Sequence, residues 1–67
     1  MELKVNGEVR QVDGEGITIA QLLERLAIEN RNLAVEHNGD FVEEESFAVT
    51  ALKAGDTVEI VRFVGGG

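Results

Sequence analysis

The stretch Ile17-Thr18-Ile19-Ala20-Gln21-Leu22-Leu23-Glu24-Arg25-Leu26 reads as a helix, and its one-sidedness decides what surrounds it. Thr18 stands at the N-cap with Gln21 three residues on, the spacing at which each side chain satisfies the other residue's backbone amide. Ile17 and Leu22 are placed to pack across that first turn as a hydrophobic staple. Ile19, Leu22, Leu23 and Leu26 follow the i, i+3, i+4, i+7 pattern of one face, with Gln21, Glu24 and Arg25 on the other. A helix apolar on one side must bury that side against another layer, and the flanking segments supply strands.

On the N-terminal side, Leu3 and Val5 alternate with Lys4 and meet Asn6-Gly7, whose tolerance of positive φ suits a tight type I′ hairpin turn. Residues 2–12 therefore read as a β-hairpin with its register open. A strict two-residue turn puts Val12 with Leu3 and Val5 and turns Val9 outward, whereas a bulged loop changes that pairing. The loop Asp13-Gly14-Glu15-Gly16 has glycines but lacks the Lys-Ser/Thr ending of a phosphate-binding loop.

On the C-terminal side, Leu33 and Val35 alternate with Ala34 and Glu36, and Asn38-Gly39 turns the chain into Phe41-Val42. If His37 pairs with Asp40, Val35 faces Val42 in the core and Phe41 points to the opposite, exposed face. Glu43-Glu44-Glu45 reads as a solvated loop entering a helical turn at Ser46; nothing nearby completes a hard-cation site. Leu52-Lys53-Ala54-Gly55-Asp56 is a turn feeding a last strand, Thr57 to Phe63. Val58 and Ile60 face inward there, and Glu59, Val61 and Phe63 outward. The order of hairpin, helix, hairpin, short turn and strand predicts an α+β fold. It is one mixed sheet of about four to five strands with a single helix on one face, leaving the other face open to partners.

Composition bounds the function. A chain of 67 residues allows one small domain, placed at residues 1–63, and no large substrate cleft. Without cysteine there is no disulfide framework, thiolate metal site or thiol nucleophile, and a lone His37 builds no metal cluster. Thirteen acidic against six basic residues, a net charge of −7, argue against nucleic-acid binding and for a partner with a basic docking face. The Met1-Glu2-Leu3-Lys4 start has neither the basic region nor the apolar run of a secretory signal, and no stretch is long enough to span a membrane. The expectation is a cytoplasmic protein, a monomer when free.

The last strand runs into Val64-Gly65-Gly66-Gly67, read as a flexible tail ending in a free carboxylate. Glycine's lack of a Cβ suits such a tail to a narrow tunnel. Four extended residues reach about 13 to 14 Å, enough to enter a partner's active site. Val61 and Phe63, exposed just before it, are candidate docking residues, with Phe41 as a third.

In these segments the chain resembles the ubiquitin-like β-grasp proteins, and among them the small sulfur carriers of thiamine thiazole biosynthesis. The matching stretches are Val5-Asn6-Gly7-Glu8, Thr18 through Leu26, Leu33 through Gly39, Leu52 through Val61, and Phe63 through Gly67. One departure stands out: the family often has Pro-Arg after the second hairpin, where this chain has Glu43-Glu44. The resemblance implies that an E1-like adenylyltransferase uses ATP and Mg²⁺ to convert Gly67 to an acyl adenylate. A persulfide of the cysteine desulfurase type then supplies sulfur, and the Gly67 thiocarboxylate enters thiazole synthase. Val64, Gly65 and Gly66 would thread, Phe63, Val61 and Phe41 would dock, and the carrier itself would bind no cofactor and hold no catalytic group. The same tail also suits the small subunit of molybdopterin synthase, a ubiquitin-like protein modifier, or an interaction module. An enzyme in its own right fits least, because no separated acid and base or oxyanion donors accompany the glutamates.

Overall fold

The computed structural model describes residues 1–63. Val64, Gly65, Gly66 and Gly67, read above as the tail, lie outside the described residues. Strands β1 (Glu2–Val5), β2 (Glu8–Gln11), β3 (Leu33–His37), β4 (Asp40–Val42) and β5 (Thr57–Arg62) form one sheet in the order β2-β1-β5-β3-β4. Both sequence-local pairs are antiparallel hairpins, β5 runs antiparallel to β3, and the central β1–β5 pair is parallel. A parallel pair needs a long crossover, and everything between the first hairpin and β5 serves as one.

Each hairpin turns where its Asn-Gly pair stands. Asn6 and Gly7 have φ of 49° and 82°, Asn38 and Gly39 of 51° and 90°, so both central residues of each turn occupy the left-handed region that a two-residue turn requires. The first hairpin takes the strict register, Val5 opposite Glu8 and Leu3 opposite Arg10. Val12 is accordingly buried with Leu3 and Val5, and Val9 faces solvent. In the second hairpin His37 pairs with Asp40 and Val35 with Val42, as the alternation predicts.

Helix α1 (Ile19–Arg25) carries the full capping box: the Gln21 amide donates to Thr18 Oγ1 at 3.2 Å and the Thr18 amide to Gln21 Oε1 at 2.9 Å. Its apolar stripe packs on the inner face of the sheet, where Ile19, Leu22 and Leu23 join Leu3, Val5, Val35 and Val58, with Ile17 and Val12 at the margin. Leu26, read as the next residue of that stripe, is the C-cap and only half-buried. Beyond it Ala27 takes φ of 57°, its amide donating to the Glu24 carbonyl at 3.1 Å while the Ile28 amide donates to the Leu23 carbonyl at 2.9 Å. These two bonds make a Schellman ending, in which the left-handed position normally belongs to glycine. Ala27→Gly is therefore expected to stabilise the protein by about 0.5 to 1 kcal/mol, read as a higher urea midpoint at unchanged slope.

The segment before β5 contributes more core than its composition suggests. A 3₁₀ helix over Glu44–Val49 presents Phe47, which is 1% exposed, and Leu52, read above as part of a turn, is equally buried. The Ile19 amide donates to the Thr50 carbonyl at 3.0 Å, and the Leu52 amide to the Ile17 carbonyl at 2.8 Å. These bonds flank an isolated bridge between Thr18 and Ala51, tying the segment to the start of α1.

Candidate docking face and the strand that bears the tail

Because the helix covers one face of the sheet, every second residue of each strand is left on the other. On β5 these are Thr57, Glu59 and Val61, with Phe63 next beyond the strand; on β1, Glu2 and Lys4; on β3, Ala34 and Glu36; on β4, Phe41; on β2, Val9 and Gln11. Val61 and Phe63 are 56% and 57% exposed, Phe41 and Val9 both 64%. The structure thus brings Val61 and Phe63 together, two residues apart on one strand line. It sets Phe41 apart, two strands over on β4, with Ala34 and Glu36 of β3 intervening. A further exposed hydrophobe, Val49, lies on the 3₁₀ helix; an apolar residue ending a helix of six residues has too little periodicity before it for its direction to be read.

β5 is held firmly as far as the last described residue, Phe63. Asn6, turned into the left-handed region, cannot present its own carbonyl as the next parallel rung, and its side-chain Oδ1 accepts the Ile60 amide at 2.6 Å instead. The guanidinium of Arg62 donates to the carbonyls of Arg31 and Glu29, both at 3.3 Å, and the Phe63 amide donates to the Asn32 carbonyl at 2.7 Å. Residues 64–67 therefore follow a central, laterally anchored strand.

The other end of β5 is fixed by a polar clasp. His37 Nε2 donates to Asp56 Oδ2 at 2.7 Å, the Lys53 amide to the same oxygen at 2.9 Å, and Asn38 Nδ2 to Asp56 Oδ1 at 3.2 Å. Asn38 Oδ1 in turn accepts the Thr57 amide at 2.8 Å. His37 is thereby used as a structural donor. Burial pushes the Asp56 carboxyl up, but the hydrogen bonds from His37, Lys53 and Asn38, with the charge of His37, outweigh it and hold it below its ordinary 3.8. A carboxyl lowered on folding adds stability above its unfolded value, and that stability is lost as pH falls through the folded one. Asp56→Asn is expected to lower the thermal midpoint at pH 7 and to flatten its decline below about pH 4. Parallel pH profiles for the two proteins would show that the clasp contributes nothing.

Glu43, Glu44 and Glu45 are exposed at the start of the 3₁₀ helix, and among the described residues no group of three or more acidic or histidine side chains could hold a metal ion. No helix among them is long and apolar enough to cross a membrane.

A five-stranded mixed sheet with a parallel central pair and one helix across a single face defines a ubiquitin-like β-grasp domain. The sequence model of the ThiS family matches residues 3–67. The crystal structure of the thiamine biosynthesis protein ThiS from Geobacter metallireducens superposes with a TM-score of 0.86 at 42% identity, each chain covered completely. The sulfur carrier protein ThiS of Bacillus subtilis is 35% identical over 65 residues, 97% of this chain and 98% of that one. A thiazole synthase of Paramagnetospirillum magneticum is 42% identical over the whole chain, which spans only 20% of that protein's length. The chain belongs to the ThiS family.

Proposed function

We propose that Gly67 is the sulfur-bearing residue and that this chain acts as a co-substrate of other enzymes. A terminal carboxylate, with an ordinary pKa of about 3.3 to 3.7, is ionised and unreactive at neutral pH. An E1-like adenylyltransferase activates it: a Gly67 carboxylate oxygen attacks the α-phosphorus of Mg²⁺-bound ATP, releasing pyrophosphate and leaving AMP on the acyl carbon. The terminal sulfur of a donor persulfide, of the cysteine desulfurase type, displaces AMP. A second thiol then cleaves the resulting acyl disulfide, leaving Gly67 as a thiocarboxylate. Thiazole synthase takes the sulfur and returns the carboxylate.

The observation that carries this reading is that the family match runs through residue 67, and so through all three closing glycines. The acceptor is suggested by the thiazole synthases of Paramagnetospirillum magneticum and Magnetococcus marinus, each of which has a stretch similar to this whole chain. Docking falls to Val61 and Phe63, with Phe41 at the periphery; Val64, Gly65 and Gly66 thread. Phe63→Asp should raise the KM for the carrier in ATP–pyrophosphate exchange on the order of 10- to 30-fold, as loss of one apolar anchor does, while leaving the thermal midpoint within a few degrees. An unchanged KM would remove Phe63 from the interface.

The deciding experiment is intact mass of the protein from thiamine-starved cells with a thiocarboxylate-specific alkylating probe in parallel. The probe is needed because oxygen-to-sulfur exchange is nearly isobaric with oxidation of Met1. Labelling of the C-terminal peptide is expected. A plain carboxylate under starvation, with conjugates on lysines of other proteins, would replace this reading with that of a protein modifier.

A further inference from the structure

The register of β5 on β3 places two glutamates face to face. Glu36 pairs with Glu59, and both side chains stand on the open side of the sheet, exposed to solvent. Directly opposed residues in an antiparallel pair have Cα atoms about 4.5 to 5.5 Å apart, and like charges there destabilise the sheet. Among the described residues no lysine, arginine or histidine lies within ion-pairing distance of either; the ion pair found joins His37 to Asp56. The row offers no relief at its ends: Phe41 follows on β4, and on the β1 side Asn6 turns its Oδ1 to the Ile60 amide. Around the pair the same face carries Ala34, Val61, Phe63 and Phe41, and towards β1 Thr57 with Lys4 opposite it, diagonal to Glu59 but not ion-paired with it.

We propose that this face receives an apolar protein surface with one arginine near its centre, and that Glu36 and Glu59 together clamp that arginine's guanidinium. The proposal rests on the carrier reading above and gives the adenylating partner its chemistry. Two carboxylates on neighbouring strands match the spread donors of a guanidinium better than a compact ammonium. The rim of exposed hydrophobes excludes water from the contact, which is where such a charge pair counts most. The net charge of −7 draws a basic partner in, but the arrangement of Glu36 and Glu59 selects which one docks.

The double variant Glu36→Gln/Glu59→Gln tests this with the full chain and the adenylating enzyme of the same organism. Its thermal midpoint should equal or exceed that of the wild type, since repulsion has been removed. Its KM in ATP–pyrophosphate exchange should rise about tenfold, with a weaker dependence on salt. The matched control Glu44→Gln/Glu45→Gln removes the same charge away from this face and should leave KM within about twofold. A KM and salt slope unchanged by the first variant, or an equal rise in the control, overturns the proposal while the carrier reading stands. Absence of exchange with the wild-type chain overturns both.

Discussion

Replacing Phe47 by alanine is expected to lower the thermal midpoint by about 12 to 40 °C. The range follows from a cost of about 3 to 5 kcal/mol for emptying a buried phenylalanine site and a shift of about 4 to 8 °C per kcal/mol in a domain this small. At about 0.05 to 0.15 kcal/mol per residue, the whole fold is worth roughly 3 to 10 kcal/mol, so the variant sits near the edge of folding at room temperature. The site cannot collapse easily. Phe47 is held by a 3₁₀ helix whose following residues are bonded to the start of α1, and it shares one core cluster with the nearly fully buried Leu3, Ile19, Leu22, Leu23 and Leu52. Phe41→Ala removes the same atoms from a side chain that is 64% exposed and should change stability by no more than about 0.5 kcal/mol. Comparable losses in the two variants, measured by urea denaturation, would mean that burial does not distinguish them.

That contrast also shows what was legible in the sequence. Wherever a repeating period or a specific turn chemistry existed, the reading was sound: the capping box at Thr18 and Gln21, the leucine face of α1, both Asn-Gly turns, and the outward line of Val61 and Phe63. Phe41 and Phe47 are the same residue type six positions apart, and the strand alternation around Phe41 gave its direction. Phe47 sits in a 3₁₀ segment too short to establish any period, after three glutamates that suggest a solvated loop, so its role as a core anchor was invisible. Leu52 was missed for a related reason: Gly55-Asp56 marks a turn, and the burial of the residue entering it depends on α1 lying alongside. The first hairpin's register is ambiguous in the sequence because Val9 and Val12 cannot both face inward, and local sequence does not say which does. At the candidate docking face the outward residues were readable strand by strand. Their grouping was not, because it depends on strand order: only with β5 next to β3 does Glu59 oppose Glu36 and does Phe41 stand apart from Val61.

The second large effect is expected at Gly66. Gly66→Val should leave the folded domain untouched, with a thermal midpoint within a few degrees of the wild type, and should reduce sulfur transfer on the order of 100-fold or more. A displacement of about 1 Å at a reacting centre costs that much, and in the proposed threading a β-branched side chain in place of glycine would displace the residue that follows by at least as far. Valine also restricts the backbone conformations through which a tail must pass to lay its carboxylate against a nucleotide. The loss should divide in an informative way. If, as proposed, docking through Val61 and Phe63 precedes insertion, affinity for the adenylating enzyme should fall little while the rate of acyl-adenylate formation falls steeply. This is the inverse of the pattern expected for Phe63→Asp, in which binding weakens and turnover at saturation is preserved. Measured in one ATP–pyrophosphate exchange assay, the two variants separate the body that docks from the tail that reacts. A Gly66→Val chain with unimpaired turnover would show that no narrow passage is traversed, and the case for Gly67 as the sulfur-bearing residue would lose its steric basis.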